Sequence, residues 1–146
     1  MSFTAAEPLR QPVILGFDPG RDKCGLAIMG VDRTLCYRAV VNAGDVLSQV
    51  QGLCQQFPIS MVVMGDQTTA PQWQKQISTL PNAPRVILVD ERYSSLEARD
   101  RYWQLHPPQG WLRLLPEGMR TPPCPIDDIV AMLLIERYLT RLTALD

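Results

Sequence analysis

Residues 13–18, Val-Ile-Leu-Gly-Phe-Asp, are an apolar run closed by Pro12 on one side and by Pro19-Gly20 on the other. A run this short, bounded by residues that do not continue a helix, predicts a buried strand. Its one charge, Asp18, falls at the end of the run, where the chain must turn. A buried strand with a terminal carboxylate needs cover for its apolar residues and an open rim for its acid, and both demands bear on the rest of the fold.

The following residues supply that cover. Gly25 to Gly30 and Leu35 to Val41 have strand character, and Gly-Val-Asp-Arg-Thr between them is a turn, so the first three strands predict an antiparallel meander. Val46, Leu47, Val50, Leu53, Cys54 and Phe57 recur at helical spacing, with Asp45 at the start and Pro58 beyond the end. Ser60 to Gly65 and Arg85 to Val89 are apolar runs of strand length, separated by a polar stretch with a helix expected from about Pro71. Apolar runs flanked by helices are the pattern of parallel strands covered on both faces. Ser94 and Glu97 match a capping box for a helix over 95–105. Six of the 13 prolines fall between Pro107 and Pro125, which predicts a long ordered loop with a helical turn at Gly-Trp-Leu-Arg-Leu-Leu. A last helix, from about Ile126 to Leu142, carries Ile126, Ile129, Val130, Leu133 and Leu134 on one face. The expected fold class is α/β: a five-stranded mixed sheet, three antiparallel strands then two parallel ones, in the order βββαβαβα-α. Residues 1–12 read as an N-terminal extension and 13–146 as a single domain, since 146 residues suffice for one core and not for two ordinary ones.

Composition narrows the chemistry. The net charge of −1 gives no broad attraction to nucleic acid, so such binding would rest on local arginine and lysine clusters. The four cysteines, Cys24, Cys36, Cys54 and Cys124, contain no C-x-x-C, and His106 is the sole histidine, which argues against a zinc site. No segment approaches a membrane span and the N-terminus lacks a signal-peptide pattern, so a cytoplasmic protein with reduced thiols and no membrane partner is the expectation.

The acids sit at strand ends, where open α/β sheets build their sites. Asp18, Asp66 and the pair Asp90-Glu91 each follow an expected strand, and Asp127-Asp128 opens the last helix. If they converge, they form an all-oxygen site suited to Mg²⁺ or Mn²⁺. Two such ions about 4 Å apart support phosphodiester hydrolysis without a histidine. Each acid also has a structural alternative. Asp18 and Asp66 suit turns, Asp90 and Glu91 can pair with Arg92 or cap a helix, and Asp127 and Asp128 complement a helix dipole. Neighbours on a helix point about 100° apart, so Asp127 and Asp128 do not both reach one ion pair.

Three segments resemble one family. "GFDPGRDKCGLAI" resembles the strand-one D-x-G…G-x-A motif of the YqgF/RuvX group of RNase H-like proteins, "VDERYSSLEA" its D-E-R-x-[ST]-x-x-E-A motif, and "IDDIVAMLLIERYL" its closing helix. The resemblance implies an RNase H-like fold and a nuclease of Holliday-junction resolution or pre-16S rRNA processing. It makes Asp18, Glu91 and Asp127 the catalytic, metal-binding acids, and Asp128 a neighbour. By analogy with the opening Asp-Pro-Gly of RuvC resolvases, Asp66 becomes a further ligand. Where many members have a G-x-P-x-x-x-x-G loop, this chain has "GDQTTAPQW". Among the basic residues in or beside the motifs, Arg21, Lys23, Arg92 and Arg120 are the candidate nucleic-acid contacts, with Arg99, Arg101 and Arg113 nearby. Trp73, Trp103 and Trp111 suit base stacking or, more commonly, packing.

The leading expectation is therefore a nuclease using one or, more fittingly, two Mg²⁺ or Mn²⁺ ions on structured RNA or branched DNA, as a monomer or a homodimer. The alternative is a catalytically inactive RNase H-like domain that binds nucleic acid or acts as a scaffold. A sugar-kinase or actin-type phosphotransferase ranks last, because enclosing ATP takes two such domains.

Overall fold

In the computed structural model, which describes residues 11–144, five strands form one sheet: β1 (Val13–Asp18), β2 (Lys23–Gly30), β3 (Leu35–Asn42), β4 (Ile59–Gly65) and β5 (Arg85–Val89). Their order across the sheet is β3-β2-β1-β4-β5, with β1 antiparallel to β2, β2 antiparallel to β3, and β1, β4 and β5 parallel. This is the expected mixed sheet. The central strand is β1, so Asp18 stands at the middle of the sheet's rim.

Four helices cover the faces: α1 (Val46–Gln56), α2 (Ala70–Ser78), α3 (Ser94–Leu105) and α4 (Asp127–Ala144). The period-two alternation of strands divides their residues between two cores. Leu15 and Phe17 of β1, Leu26 and Ile28 of β2, and Val62 and Met64 of β4 pack with Val46, Val50 and Leu53 of α1 and with Ile77 of α2. On the opposite face Ile14, Ala27, Met29 and Val63 meet α3 and the long apolar face of α4. Because both faces are buried, β1 reads as a continuous apolar run.

Two glycines let α4 press its backbone onto the sheet. A Cβ at Gly25 would lie 1.8 Å from the Asp127 carbonyl oxygen, and one at Gly16 would lie 2.3 Å from that of Ala131. Asp127 and Ala131 are one helical turn apart, so α4 crosses the sheet along a track that has no side chains beneath it. Gly25 is the cross-strand partner of Asp18. The helix N-terminus therefore comes down beside the carboxylate that ends β1.

Two local expectations change. The Ser94–Glu97 capping box is not formed: Ser94 is the first residue of α3 and is buried, while Tyr93 occupies the cap position at φ 64° without a side-chain cap bond. The Glu97 carboxylate turns to Arg137 on α4 instead, while the Ser94 N–H that it would cap donates to the Glu91 carbonyl at 3.0 Å and the Glu97 N–H donates to the Tyr93 carbonyl. The proline-rich loop holds two 3-10 turns, Gly110–Leu114 and Glu117–Met119, the first at the anticipated place. Residues 1–10 of the expected N-terminal extension lie outside the described residues, and Gln11 and Pro12 are exposed. No described helix is long and apolar enough to cross a membrane.

Candidate acidic site at the strand ends

Asp18 points to the α4 face of the sheet, in phase with Ile14 and Gly16. Its carboxyl is pushed up from the ordinary 3.8 to about 7, first by burial and then by the negative charges of Asp127 and Glu91. Three chain segments thus meet electrostatically at one point: the end of β1, the loop after β5 and the first turn of α4. Asp127 is itself raised, chiefly by burial and also by Asp128, while its own backbone N–H and Lys23 pull it back. Glu91 is raised by burial, by Asp66 and by Asp90, and lowered by Arg137. Burial is the first cause of each of these shifts and neighbouring negative charge adds to it, a combination that marks a candidate functional site.

Glu91 depends on a third glycine. A Cβ at Gly65, the last residue of β4, would lie 2.3 Å from Glu91 Oε2, so the carboxylate occupies the space where a side chain on β4 would stand. Asp66 follows directly, exposed, with its backbone N–H bonded to the Val89 carbonyl at 3.1 Å. Its charge acts on Glu91 and is not among the causes that raise Asp18. Asp66 therefore lies on the Glu91 side of the cluster.

The adjacent acids have structural partners. Asp90 Oδ1 accepts the Arg92 backbone N–H at 2.9 Å, which shapes the loop in the manner of an Asx turn. Asp128 Oδ2 pairs with Arg38 Nε on β3 at 3.0 Å, and its Oδ1 accepts the Ile129 N–H at 2.9 Å. Asp128 is thus a neighbour turned away from the cluster, as its helical phase requires.

The basic residues divide in the same way. Arg21 is exposed in the β1–β2 bend, and Arg92 is exposed in the loop after Glu91. Lys23 Nζ lies 3.4 Å from Asn42 Oδ1. The Arg120 guanidinium donates to the carbonyls of Leu112 and Arg113 at 3.1 and 3.4 Å, while its own carbonyl accepts from Trp103 Nε1. Arg120 thus folds the proline-rich loop, a role its position in the sequence does not reveal. Trp73 packs edge-on against Phe17 at 5.1 Å and Trp103 is buried, whereas Trp111 is 70% exposed.

Sequence reasoning passed over Arg137. From α4 its guanidinium donates to the Asp90 carbonyl and to the Arg92 carbonyl, each at 2.7 Å, and pairs with the Glu97 carboxylate. Those bonds fix the carbonyls on both sides of Glu91. No local pattern announces this, because its partners lie 40 to 47 residues away.

The donor set, carboxylates alone, fits Mg²⁺ or Mn²⁺ better than a softer ion. Among the described residues, no three His, Cys, Asp or Glu side chains converge closely enough, as they stand, to enclose an ion. The acids are gathered but not closed into a cage.

No family model and no curated protein matches the sequence. Solved structures do match. Thermus thermophilus RuvC in complex with a Holliday junction substrate superposes with a TM-score of 0.57 at 17% identity, over 92% of this chain and 95% of that one. A second structure of RuvC from the same organism gives 0.48 at 16% identity, over 89% and 96%. The five-stranded mixed sheet with helices on both faces is thus the RNase H-like fold, shared with RuvC over nearly the whole of both chains.

Proposed function

We propose that this chain is a divalent-metal-dependent nuclease that hydrolyses phosphodiester bonds in structured nucleic acid. The observation that carries the reading is the convergence on Asp18. A carboxylate at the end of the central strand is driven to a pKa of about 7 partly by acids delivered from two distant segments. A fold has little structural reason to gather three mutually repelling carboxylates, and a cation relieves the repulsion.

In this reading Asp18, Glu91 and Asp127 are the metal ligands and Asp66 is a further ligand on the Glu91 side. Two divalent ions held there would activate a water and stabilise the leaving oxygen of an in-line displacement. The chain's own contribution is positional. Asp18 is fixed by the central strand, Asp127 by the glycine track under α4, and Glu91 by Arg137 and the space above Gly65. Lys23 tempers the charge at Asp127, and Arg21 and Arg92 are free to meet phosphate oxygens. The resemblance to the YqgF/RuvX group supports the same three acids and points to precursor 16S rRNA. The likeness to a resolvase bound to a Holliday junction makes four-way DNA the other substrate to test.

Purified protein with Mg²⁺ or Mn²⁺ is expected to cut a four-way DNA junction or a structured precursor rRNA, and Asp18→Asn to lose the cutting. Equal activity in both proteins overturns the reading. A second reading, a non-catalytic nucleic-acid-binding or scaffold domain, draws on the absence of a closed three-acid cage among the described residues. Salt-dependent binding without metal-dependent cleavage is its expected signature.

A further inference from the structure

Beside the acidic site, an open cavity of about 370 Å³ is lined by Val89, Asp90, Arg92, Tyr93, Arg137 and Arg141. It begins at the end of β5, one residue from Glu91. Three of the lining residues carry guanidinium groups. The one carboxylate, Asp90, already accepts the Arg92 N–H. Arg137 is committed to the loop carbonyls and Glu97 and forms the fixed wall. Arg92 and Arg141 are exposed, and neither guanidinium forms a hydrogen bond or ion pair with another described residue; that of Arg141 lies 5.4 Å over the Tyr138 ring.

Tyr93 is the unusual element. It holds φ at 64°, a left-handed conformation that disfavours a bulky side chain, yet no side-chain cap bond compensates there. Its ring is left 69% exposed at the rim of the cavity. An exposed aromatic face beside two guanidinium groups that make no hydrogen bond or ion pair with another described residue is the combination that binds unpaired nucleotides: the cations take phosphate oxygens and the ring stacks on a base.

We propose that this cleft binds a single-stranded stretch of nucleic acid flanking the phosphate in the acidic site, with Arg92 and Arg141 on its backbone and Tyr93 stacked on a base. The proposal rests on the nuclease reading for its orientation toward Glu91. Arg137 then joins the two functions, since the guanidinium that walls the cleft also holds the Glu91 loop.

The test is fluorescence anisotropy with labelled single-stranded DNA and RNA oligonucleotides of about 12 nucleotides. The full chain carries Asp18→Asn, so that binding is read without cutting. Tyr93→Gly removes the ring and relieves the positive φ, so its melting temperature should hold or rise while affinity falls about tenfold. Tyr93→Phe should bind like the parent. Arg92→Ala combined with Arg141→Ala should weaken binding and reduce the salt dependence by about two phosphate contacts. Affinities of Tyr93→Gly and of the double arginine variant within about twofold of the parent overturn the cleft, as does equal competition by blunt duplex. The nuclease reading is judged apart from this: cleavage by the unmodified chain with unchanged oligonucleotide affinity in both variants sinks the cleft alone. Loss of affinity in the variants, with no cleavage by the unmodified chain, sinks the nuclease reading alone.

Discussion

Asp18 and Glu91 arrive at one cluster on two different kinds of support. Asp18 ends the central strand, flanked by β2 and β4, with the backbone of α4 laid on glycines beside it. Glu91 sits in a loop, and one arginine from another element fixes the carbonyls around it. Close packing of backbone on backbone has no soft coordinate, whereas a pinned loop can yield when its pin is removed. Disturbing the first support should therefore damage the whole fold, and disturbing the second should damage the site while the fold survives.

The largest effect is expected from Asp18→Asn, which should reduce metal-dependent cleavage to background. The same substitution should stabilise the metal-free protein. With the native carboxyl at about 7 and the ordinary value at 3.8, the folded state holds a proton that the unfolded chain has released. The stability of the unmodified protein therefore falls as pH rises through that window and is flat above it. Asn escapes this penalty. Its advantage should be absent below about pH 4 and reach about 2–4 kcal/mol at pH 8, read from urea melts at several pH values. Millimolar Mn²⁺ should raise the melting temperature of the unmodified protein and leave that of Asp18→Asn unmoved.

Next comes the rigid support itself. Gly25→Ala puts a methyl group against the Asp127 backbone carbonyl, which cannot swing aside, so α4 must lift. The expected cost is about 3 kcal/mol of stability. A destabilisation below about 1 kcal/mol would mean that α4 is not seated on the sheet as described.

The pinned loop should respond differently. Arg137→Met keeps the apolar stem and removes the bonds around Glu91, and cleavage should fall about 10–100-fold with a modest loss of stability. Arg137 also holds the Glu91 carboxyl down, so without it that group titrates higher and the rising limb of the pH–rate profile should move to higher pH. An unmoved limb would remove Arg137 from the site and leave it as a structural tie.

Gly65→Ala sharpens the comparison with the smallest expected change in stability. Its added methyl meets chiefly the carboxylate end of Glu91, which can rotate away, with the Glu91 Cβ at a tight but less severe 3.1 Å, in contrast to the backbone met at Gly25. Stability should fall by about 1 kcal/mol, and cleavage by about tenfold as Glu91 leaves the cluster. Equal stability losses for Gly65→Ala and Gly25→Ala would contradict the distinction between the two supports.

The sequence exposed the scaffold more clearly than the site. The bounds of β1 follow from Pro12 and Pro19, the meander from its turn, and the parallel strands from apolar runs between helices. These are local or periodic signals, because the central strands β1, β2 and β4 are buried and carry that burial in their own composition. The Ser94–Glu97 pattern misled for a complementary reason: it is also local, but Glu97 has a stronger partner 40 residues away. Asp90 and Glu91 are adjacent in the chain, and only the loop geometry gives one to the Asx turn and the other to the space above Gly65.

The sequence alone determined the bounds of β1 and β5 and, to within two residues, those of the other strands, and that an acid stands at the end of the central strand and at the start of the last helix. It did so because steric limits at proline and period-two burial act within a few residues. Which acids face one another, and that Arg137 holds one of them, was decided by the tertiary structure alone. Those relations depend on α4 docking against β1 and β2 through glycines far from it in sequence, and on charges that interact only after that docking brings them out of water.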